Sequence, residues 1–313
     1  MSKKMRGNIL LLITALVWGI AFVAQRSSMD YIGPFTFSGI RLIIASVVLI
    51  PVMKFFSPDP LLKEDGSKKT ESELMVDKKN LIIGGIACGF ALFIATSLQQ
   101  IGIQYTTAGK AGFITALYVV FVPIIGSLFL HKKIRKLIWL CVLLAAVGLY
   151  LLSMTGDRFF LAKGDALMLL CAIAFAGHIL TIDHFSPLAD GIKLSSIQFF
   201  VSGVLALICM VIFEEPNLAS IWDAIIPILY AGILSAGVGY TLQIIAQKDT
   251  DPTIASLILS LESVFAVIAG VLILREGLSV REFTGCLIMF VAIVLAQMPT
   301  KEERLMAKER KAK

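Results

Sequence analysis

Charge is scarce in this sequence. Asp, Glu, Lys and Arg make up only 16% of its 313 residues, whereas 58% are hydrophobic and the mean hydropathy is +0.87. A soluble globular domain has about a quarter of its residues charged. The composition therefore excludes an ordinary soluble domain and indicates a membrane protein with several spanning segments.

Short motifs for nucleotides and metals are missing as well. The sequence has no glycine-rich phosphate loop of the type GxxxxGKS, so ATP is not expected to be the direct energy source. It has neither HExxH nor another metal-ligand spacing, and we expect no metal and no cofactor. The five cysteines fall inside apolar runs and are odd in number, which argues against a disulfide framework.

The basic residues are arranged for a membrane rather than for nucleic acid. The formal net charge is +6, but the Lys and Arg residues cluster in short loops beside apolar runs and in both tails. This pattern reports topology. We expect the lipid bilayer and a small-molecule substrate as partners, no nucleic acid, and a monomer or a homodimer.

Apolar segments dominate what is present. About 20 apolar residues span a bilayer as a helix. Segments of that kind predict an all-α integral membrane protein with ten transmembrane helices, at 8–27, 34–53, 80–102, 106–130, 136–154, 163–184, 192–213, 223–247, 252–274 and 282–299.

The charges flanking these spans predict an orientation. With a cytoplasmic N-terminus, 21 of the 28 Lys and Arg residues lie inside, six lie outside and Arg41 lies within a span. The excess of positive charge inside predicts a multi-pass protein of the cytoplasmic membrane with both termini in the cytoplasm.

Two segments need separate interpretation. The basic N-terminus followed by apolar residues 9–24 resembles a signal peptide, but this apolar stretch is long for one, and we expect an uncleaved first span. The only long loop, 54–79, has mixed charge and few aromatic or β-branched residues. It is expected to be a flexible cytoplasmic connector.

The two halves of the chain resemble each other. A shift of 144 positions pairs 98–151 with 242–295 without a gap and sets Gln99 against Gln243. A shift of 157 pairs the earlier spans more weakly. Shared apolar composition inflates such matches, so the paired polar residues carry more weight.

Each half holds five spans, an odd number, so the second copy must cross the membrane in the opposite sense. Inverted repeats are typical of transporters, because one fold then presents related faces to both sides. We divide the chain into a first repeat at 1–155, a second repeat at 160–299 and a basic cytoplasmic tail at 300–313.

This combination resembles the EamA-type members of the drug/metabolite transporter superfamily over about 8–298. The residues that carry the resemblance are Trp18–Gly19, Arg41, "AGFITALYVVFVPIIG" (111–126) and "LESVFAVIAGVLILREGLSVREFTG" (261–285). The resemblance implies an inner-membrane carrier of small metabolites, often amino acids. Two positions depart from the family pattern. Ser263 replaces a frequent proline, so a weaker bend is expected in span 9, and Lys132 replaces a frequent counterpart of Glu276.

Glu262 lies in the middle of an apolar run, 254–273. A charge there costs about 2.5–3.5 kcal/mol on insertion scales. Helical winding groups Glu262 with the small residues Ala255, Ser256, Ser260, Ser263, Ala266, Ala269 and Gly270, and sets them opposite Leu257, Ile258, Leu261, Val264, Phe265, Ile268 and Leu272. Small residues favour close helix packing and bulky ones suit lipid. Glu262 is therefore expected to face a central cavity, as a substrate or proton site, or to be a paired structural carboxyl.

Span 4 repeats this pattern, with Tyr118 at the position equivalent to Glu262. Its small half is Ala111, Gly112, Thr115, Ala116, Pro123, Gly126 and Ser127, opposite Phe113, Leu117, Phe121 and Ile124. The interior Pro123 is expected to kink the helix. Spans 4 and 9 are predicted to line the pathway as an inverted pair.

Other polar residues within spans are further candidates for substrate binding or coupling. His178, on a stripe with Cys171, Ala174 and Thr181, is either a titrating group or a buried packing residue. Arg41 pairs with a carboxyl, binds an anionic substrate group or extends to the surface. Gln99 and Gln243 bind substrate or bond between helices, and Trp18 completes the set.

We predict a secondary transporter that moves a small metabolite, an amino acid or related compound, by alternating access. Export is the favoured direction, and Glu262 is the candidate for proton coupling. No enzymatic activity and no catalytic residue are expected. The alternatives are an intramembrane enzyme using Glu262 and His178 as acid and base, and a non-transporting receptor or assembly factor. Both leave the inverted repeat unexplained.

Overall fold

The computed structural model describes residues 3–63, 67–106, 108–129, 131, 134–153, 163–274 and 279–296, and helices occupy most of them. The α-helices are α1 (Lys3–Ser28), α2 (Pro34–Phe56), α3 (Glu71–Ile103), α4 (Ala108–Ala116), α5 (Tyr118–Leu128), α6 (Lys136–Ser153), α7 (Lys163–Phe185), α8 (Gly191–Phe213), α9 (Leu218–Asp223), α10 (Ile225–Leu229), α11 (Thr241–Gln247), α12 (Pro252–Leu259), α13 (Glu262–Leu274) and α14 (Val280–Ala296). A π-helical segment, Tyr230–Tyr240, lies between α10 and α11. The described residues contain no strand.

The chain is an all-α membrane protein. Seven helical runs in the described residues are long and apolar enough to cross a membrane: Lys3–Ser28, Pro34–Phe56, Glu71–Ile103, Ala111–Leu128, Lys163–Phe185, Gly191–Phe213 and Ile225–Gln247. Shorter apolar helices at Lys136–Gly148, Pro252–Ala266 and Phe283–Ala296 coincide with the other three predicted spans. The count of ten crossings stays a prediction.

The long connector is shorter than predicted. Thr70 and Glu73 form a capping box, in which each side chain bonds the other residue's backbone N–H, and α3 begins there. Lys63 lies 2.8 Å from Glu73, and this contact together with the Thr70 bonds lowers the pKa of Glu73 to about 2. Charged residues assigned to the loop therefore form the first turns of a helix. Lys132, Glu276 and the tail 300–313 lie outside the described residues.

The two halves interlock rather than stand side by side. Helix α2 packs along α8, α6 packs along α14, and α3 packs on α7. Helices α2 and α8 have 23 residues each, and their bounds are offset by the 157 positions of the weaker repeat. The packing of α2 on α8 and of α6 on α14 therefore joins repeat-equivalent helices, whereas α3 and α7 are not equivalent.

Spans 4 and 9 are both interrupted at the same repeat position. Leu117 separates α4 from α5, and Ser260–Leu261 separates α12 from α13. The Leu117 N–H donates to Ile114 O at 3.2 Å, and the Leu261 N–H donates to Ile258 O at 3.1 Å, so both interruptions are tight turns.

These turns lie near two residues at which bends were considered. Pro123 lies inside α5, more than a turn after the interruption at Leu117, and the kink at the proline stays a prediction. The weaker bend expected at Ser263 also stays a prediction. The chain turns just before it, and the Ser263 hydroxyl donates to Gly112 O at 3.1 Å, tying α13 to α4.

The lipid face predicted for span 9 is wrong in its first half. Leu257, Ile258 and Leu261 are buried, because α12 is enclosed by α1, α5, α7 and α14. Ile268, in α13, is exposed as predicted. In span 4, Phe113 is likewise buried. Placing the sequence on an ideal helix identifies the polar side of an enclosed helix. It does not distinguish an apolar side that packs on other helices from one that faces lipid.

Predicted span 8 is not one regular helix. Its middle is the π-helical segment, and side chains of α1 bond to the carbonyls of this segment. Thr14 Oγ1 donates to Gly239 O at 3.1 Å, and Trp18 Nε1 donates to Ser235 O at 3.0 Å. Tyr230 returns a bond to Val17 O at 3.0 Å. π-Helical turns are frequent at functional sites.

A glycine sets the distance between α1 and α13. A Cβ at Gly19 would lie 2.6 Å from Glu262 O and 2.9 Å from Ala266 N, both backbone atoms. Gly19→Ala is expected to destabilise the protein by about 1–3 kcal/mol, because overpacking forces the helices apart. Thermal unfolding in detergent measures this loss.

Gly177→Ala is the matched control. It is another glycine inside a helix, and no atom lies within 4 Å of its added Cβ. Alanine is favoured over glycine in helices by up to about 1 kcal/mol, so the control should unfold at the same temperature or higher. Equal loss in both variants would contradict the close approach.

Candidate functional site

A buried cavity lies where α1, α2, α3, α7, the π-helical segment and the two interrupted spans meet. A water-sized sphere can move its centre over about 20 Å³ inside it, enough for a water but far too little for a metabolite. The lining residues are Trp18, Phe22, Gln25, Arg41, Gln99, Thr115, Tyr118, Phe175, Ser235, Tyr240 and Glu262.

Glu262 enters the cavity at the interruption of span 9. It is the first residue of α13, and its side chain is only 3% exposed. Tyr118, the first residue of α5, places its hydroxyl beside the Glu262 carboxyl. The Tyr118 hydroxyl and Glu262 Oε1 nevertheless make no hydrogen bond of standard geometry with the described residues. The two repeat-equivalent residues therefore face each other with hydrogen-bonding capacity to spare.

Arg41 supplies a cation to the same cavity. It is 3% exposed, and its Cζ lies 5.0 Å from the centre of the Phe37 ring. Its Nε has no hydrogen-bond partner, and it forms no ion pair within the described part of the chain. An unpaired buried charge costs several kcal/mol, about the size of a protein's net stability margin. Arg41 and Glu262 thus share one cavity without neutralising each other.

Aromatic rings form the apolar wall. The ring centres of Trp18 and Tyr240 lie 4.5 Å apart, and the bond from Trp18 to the π-helical segment fixes the indole. Phe22 and Phe175 add two more rings. Trp18 and Phe175 stand 157 positions apart, so each repeat contributes one aromatic residue from its first span.

The two glutamine candidates separate. Gln99 lines the cavity and donates to Thr115 Oγ1 at 3.4 Å. Gln243 lies outside the lining and donates to Gln247 Oε1 at 2.8 Å. Gln247 in turn donates to Ile179 O at 3.0 Å. The Gln243 bond thus stays within α11, whereas Gln247 bonds between α11 and α7.

His178 also lies outside the lining. Its Nε2 is 3.0 Å from Gln198 Oε1, and its ring lies edge-on to Phe175 and Tyr240. His178 thus packs against two rings of the aromatic wall, which fits the alternative of a buried packing residue. No contact between the described residues joins it to Glu262, its partner in the enzyme alternative. Among the described residues no group of His, Cys, Asp or Glu could hold a metal ion.

Sequence reasoning missed five lining residues: Phe22, Gln25, Phe175, Ser235 and Tyr240. Phe22 and Gln25 follow Trp18 at i+4 and i+7, the spacing of one helix face, so extending the Trp18 stripe would have found them. Ser235 and Tyr240 lie in and at the end of the π-helical segment. Its geometry leaves no signal in hydropathy.

Comparison with known proteins agrees with this architecture. Residues 5–154 and 162–298 each match the EamA-like transporter family. An uncharacterized transporter of Archaeoglobus fulgidus is 31% identical over 297 residues, 95% of this chain and 87% of its own length. An uncharacterized transporter of Clostridium kluyveri is 23% identical over 95% of this chain and 94% of its own.

Two further matches cover at least 90% of this chain. A chloroplastic WAT1-related protein of Arabidopsis thaliana is 27% identical over 90% of this chain and 67% of its own. One solved crystal structure of a protein superposes on this chain with a TM-score of 0.74 at 15% sequence identity. The superposition covers 93% of this chain and 96% of the other chain, and it shows the shared fold alone. Two matches that together span nearly the whole chain place this protein in the EamA-like transporter family.

Proposed function

We propose that this membrane transporter moves small zwitterionic metabolites, amino acids or their close relatives, by alternating access. One observation carries the proposal. Arg41 and Glu262 line the same buried, aromatic-walled cavity, and neither forms an ion pair with a described residue.

The two charged groups suit the two ends of an amino acid. A guanidinium binds a carboxylate through parallel N–H bonds, and the free Nε of Arg41 is one such donor. Glu262, with the Tyr118 hydroxyl beside it, accepts hydrogen bonds from an ammonium group. The rings of Trp18, Phe22 and Tyr240 then face the apolar part of the substrate.

The interruptions of spans 4 and 9 support alternating access. Discontinuous helices at the repeat interface near the membrane centre are typical of transporters. The cavity is too small for a metabolite in this conformation, so rocking of one repeat against the other must enlarge it toward one side at a time. In the proposed cycle Glu262 carries a proton when it carries no substrate ammonium, which couples transport to the proton gradient. The proposal also includes the orientation predicted from the loop charges, with both termini in the cytoplasm. The proposed direction of transport is export.

Transport by purified protein in liposomes tests the proposal. The panel pairs each amino acid with its amide, which lacks the carboxylate, and with its decarboxylated amine. Exchange should be fastest for zwitterions with large apolar side chains and at least about tenfold slower for the amides, because each loses a charge-assisted contact. An inward or outward proton gradient should change the direction of net flux. Equal rates for acids and amides would reject the zwitterion as substrate.

A further inference from the structure

Helices α2 and α8 are fastened to each other at both ends by residues that cap them. At one end Glu214, which follows the last residue of α8, accepts bonds from the start of α2. Its carboxylate oxygens lie 2.7 Å from Phe35 N, 2.8 Å from Thr36 N and 2.6 Å from Thr36 Oγ1. We name this contact the outer latch, because the predicted orientation places it outside the cell.

The opposite end carries the repeat-equivalent contact, here named the inner latch. Ser57, which follows the last residue of α2, donates its hydroxyl to Asp190 Oδ1 at 2.9 Å. Asp190 is the N-cap of α8 and also accepts from Lys193 N at 2.8 Å. Ser57 and Glu214 stand 157 positions apart.

The two latches differ in strength. Three hydrogen bonds converge on the carboxylate in the outer latch, whereas one hydroxyl joins the helices in the inner latch. Both acceptors are carboxylates at a helix N-terminus, so the strength of each single bond is similar. The number of bonds makes the difference. The repeat-equivalent ends are therefore unequally held.

A cleft opens at the outer latch, directly above the central cavity. A water-sized sphere can move its centre over about 400 Å³ inside this cleft. The lining residues are Met29, Asp30, Tyr31, Ile32, Gly33, Thr36, Gln104, Glu214, Glu215, Pro216, Asn217 and Ser220. Helix α2, together with α1 and α3 and the residue that follows each of them, contributes to both spaces through residues only four or five positions apart. On α2, for example, Thr36 lines the cleft and Arg41 lines the cavity. At about 1.5 Å of rise per residue, about 6–7.5 Å of helix separates the two spaces.

The latched segment contacts a residue of the cavity lining through one aromatic ring. Phe37, next to the latched Thr36, is fully buried and lies under the Arg41 guanidinium. Because Phe37 and Arg41 lie one turn apart on α2, moving the start of α2 away from α8 would carry them together. Release of the outer latch would therefore shift part of the thin layer between the cleft and the cavity.

We propose that the cleft is the outer entrance of the transport pathway. In this proposal the start of α2 is the outer gate, and the outer latch holds it closed. With Glu214 bound to the start of α2, the gate is closed and the cavity is sealed from the outer side. When the bonds break, α2 swings out and Arg41 becomes reachable through the cleft. The gate rests on the proposed alternating access, but it does not depend on which substrate is carried.

Thiol labelling tests the gate without any substrate. Ser235 lines the central cavity, and Ser235→Cys changes little in size, so it reports entry of a membrane-impermeant thiol reagent applied from the outer side. The same proteins without Ser235→Cys give the blank for the native cysteines. Adding Glu214→Ala should raise the labelling rate by about tenfold or more, because it removes bonds each worth about that factor. Glu214→Gln, which keeps one acceptor oxygen, should give a smaller rise.

Two control variants define the specificity of the effect. Glu215→Ala removes the same charge from the same cleft but takes no part in the latch, and it should leave the rate unchanged. Ser57→Ala breaks the inner latch and should not raise labelling from the outer side. Unchanged labelling in both Glu214 variants, or an equal rise in either control, would overturn the gate.

Failure of the gate and failure of the proposed function give different results. Faster labelling in a protein that does not carry amino acids would reject the substrate class and support the gate. Intact amino acid transport with no response to the Glu214 variants would reject the gate alone. Should Glu214→Ala not elute as a single species, Glu214→Gln decides the outcome.

Discussion

Glu262→Gln is expected to abolish accumulation of substrate driven by a proton gradient while exchange of substrate across the membrane survives. Glutamine keeps the size and the hydrogen-bonding capacity of the side chain but cannot take up or release a proton. Glu262 lies in the cavity without an ion pair from any described residue, so no fixed cation holds it in one charge state. If the proton is carried there, the variant equilibrates substrate but cannot concentrate it.

The measurement compares accumulation in proteoliposomes with and without a proton gradient against exchange of labelled for unlabelled substrate. Tyr118→Phe is the matched control, because it removes the neighbouring hydroxyl and leaves the carboxyl, and it should still accumulate substrate. Glu262→Leu should fold and express, since replacing a buried charge by an apolar residue is often neutral or stabilising. Accumulation by Glu262→Gln at the wild-type level, with the same pH dependence, would make Glu262 a structural carboxyl.

The helices of this protein were predictable because a membrane restricts what a chain can do. Lipid offers no hydrogen bonds, so an apolar run of sufficient length has to be helical. The predicted bounds of spans 2, 6 and 7 accordingly fall within a few residues of α2, α7 and α8. The charged candidates were predictable for the same reason, since Arg41 and Glu262 are costly where they lie and therefore conspicuous.

The interruptions and the π-helical segment were not predictable from hydropathy. Leu117 and Leu261 are apolar residues in apolar runs, and the turns at these positions depend on how neighbouring helices pack around α4 and α12. Tyr240 was missed because an aromatic residue in a membrane helix is not unusual, so the sequence does not mark it as a cavity residue. A face of a helix can be read from spacing, but which faces converge is decided by tertiary packing.

Arg41→Gln is expected to weaken binding of substrates that carry a carboxylate by about thirtyfold or more. Removing one partner of a buried charge pair costs about 2–5 kcal/mol, which corresponds to at least that factor. The variant should fold, because glutamine already occupies the equivalent position of the second repeat, Gln198, where it is fully buried. Arg41→Lys keeps the charge but loses the planar fork, so it should retain only part of the affinity.

Comparing an acid with its amide isolates the role of Arg41. In the wild-type protein the acid should bind more tightly, and in Arg41→Gln the two should bind alike, because the group that distinguishes them is gone. Scintillation proximity or thermal-shift titration gives both affinities on the same preparation. A loss of equal size for acid and amide would mean that Arg41 shapes the cavity without contacting the carboxylate. The cation would then be retained for its contact with Phe37, which ties the cavity to the start of α2.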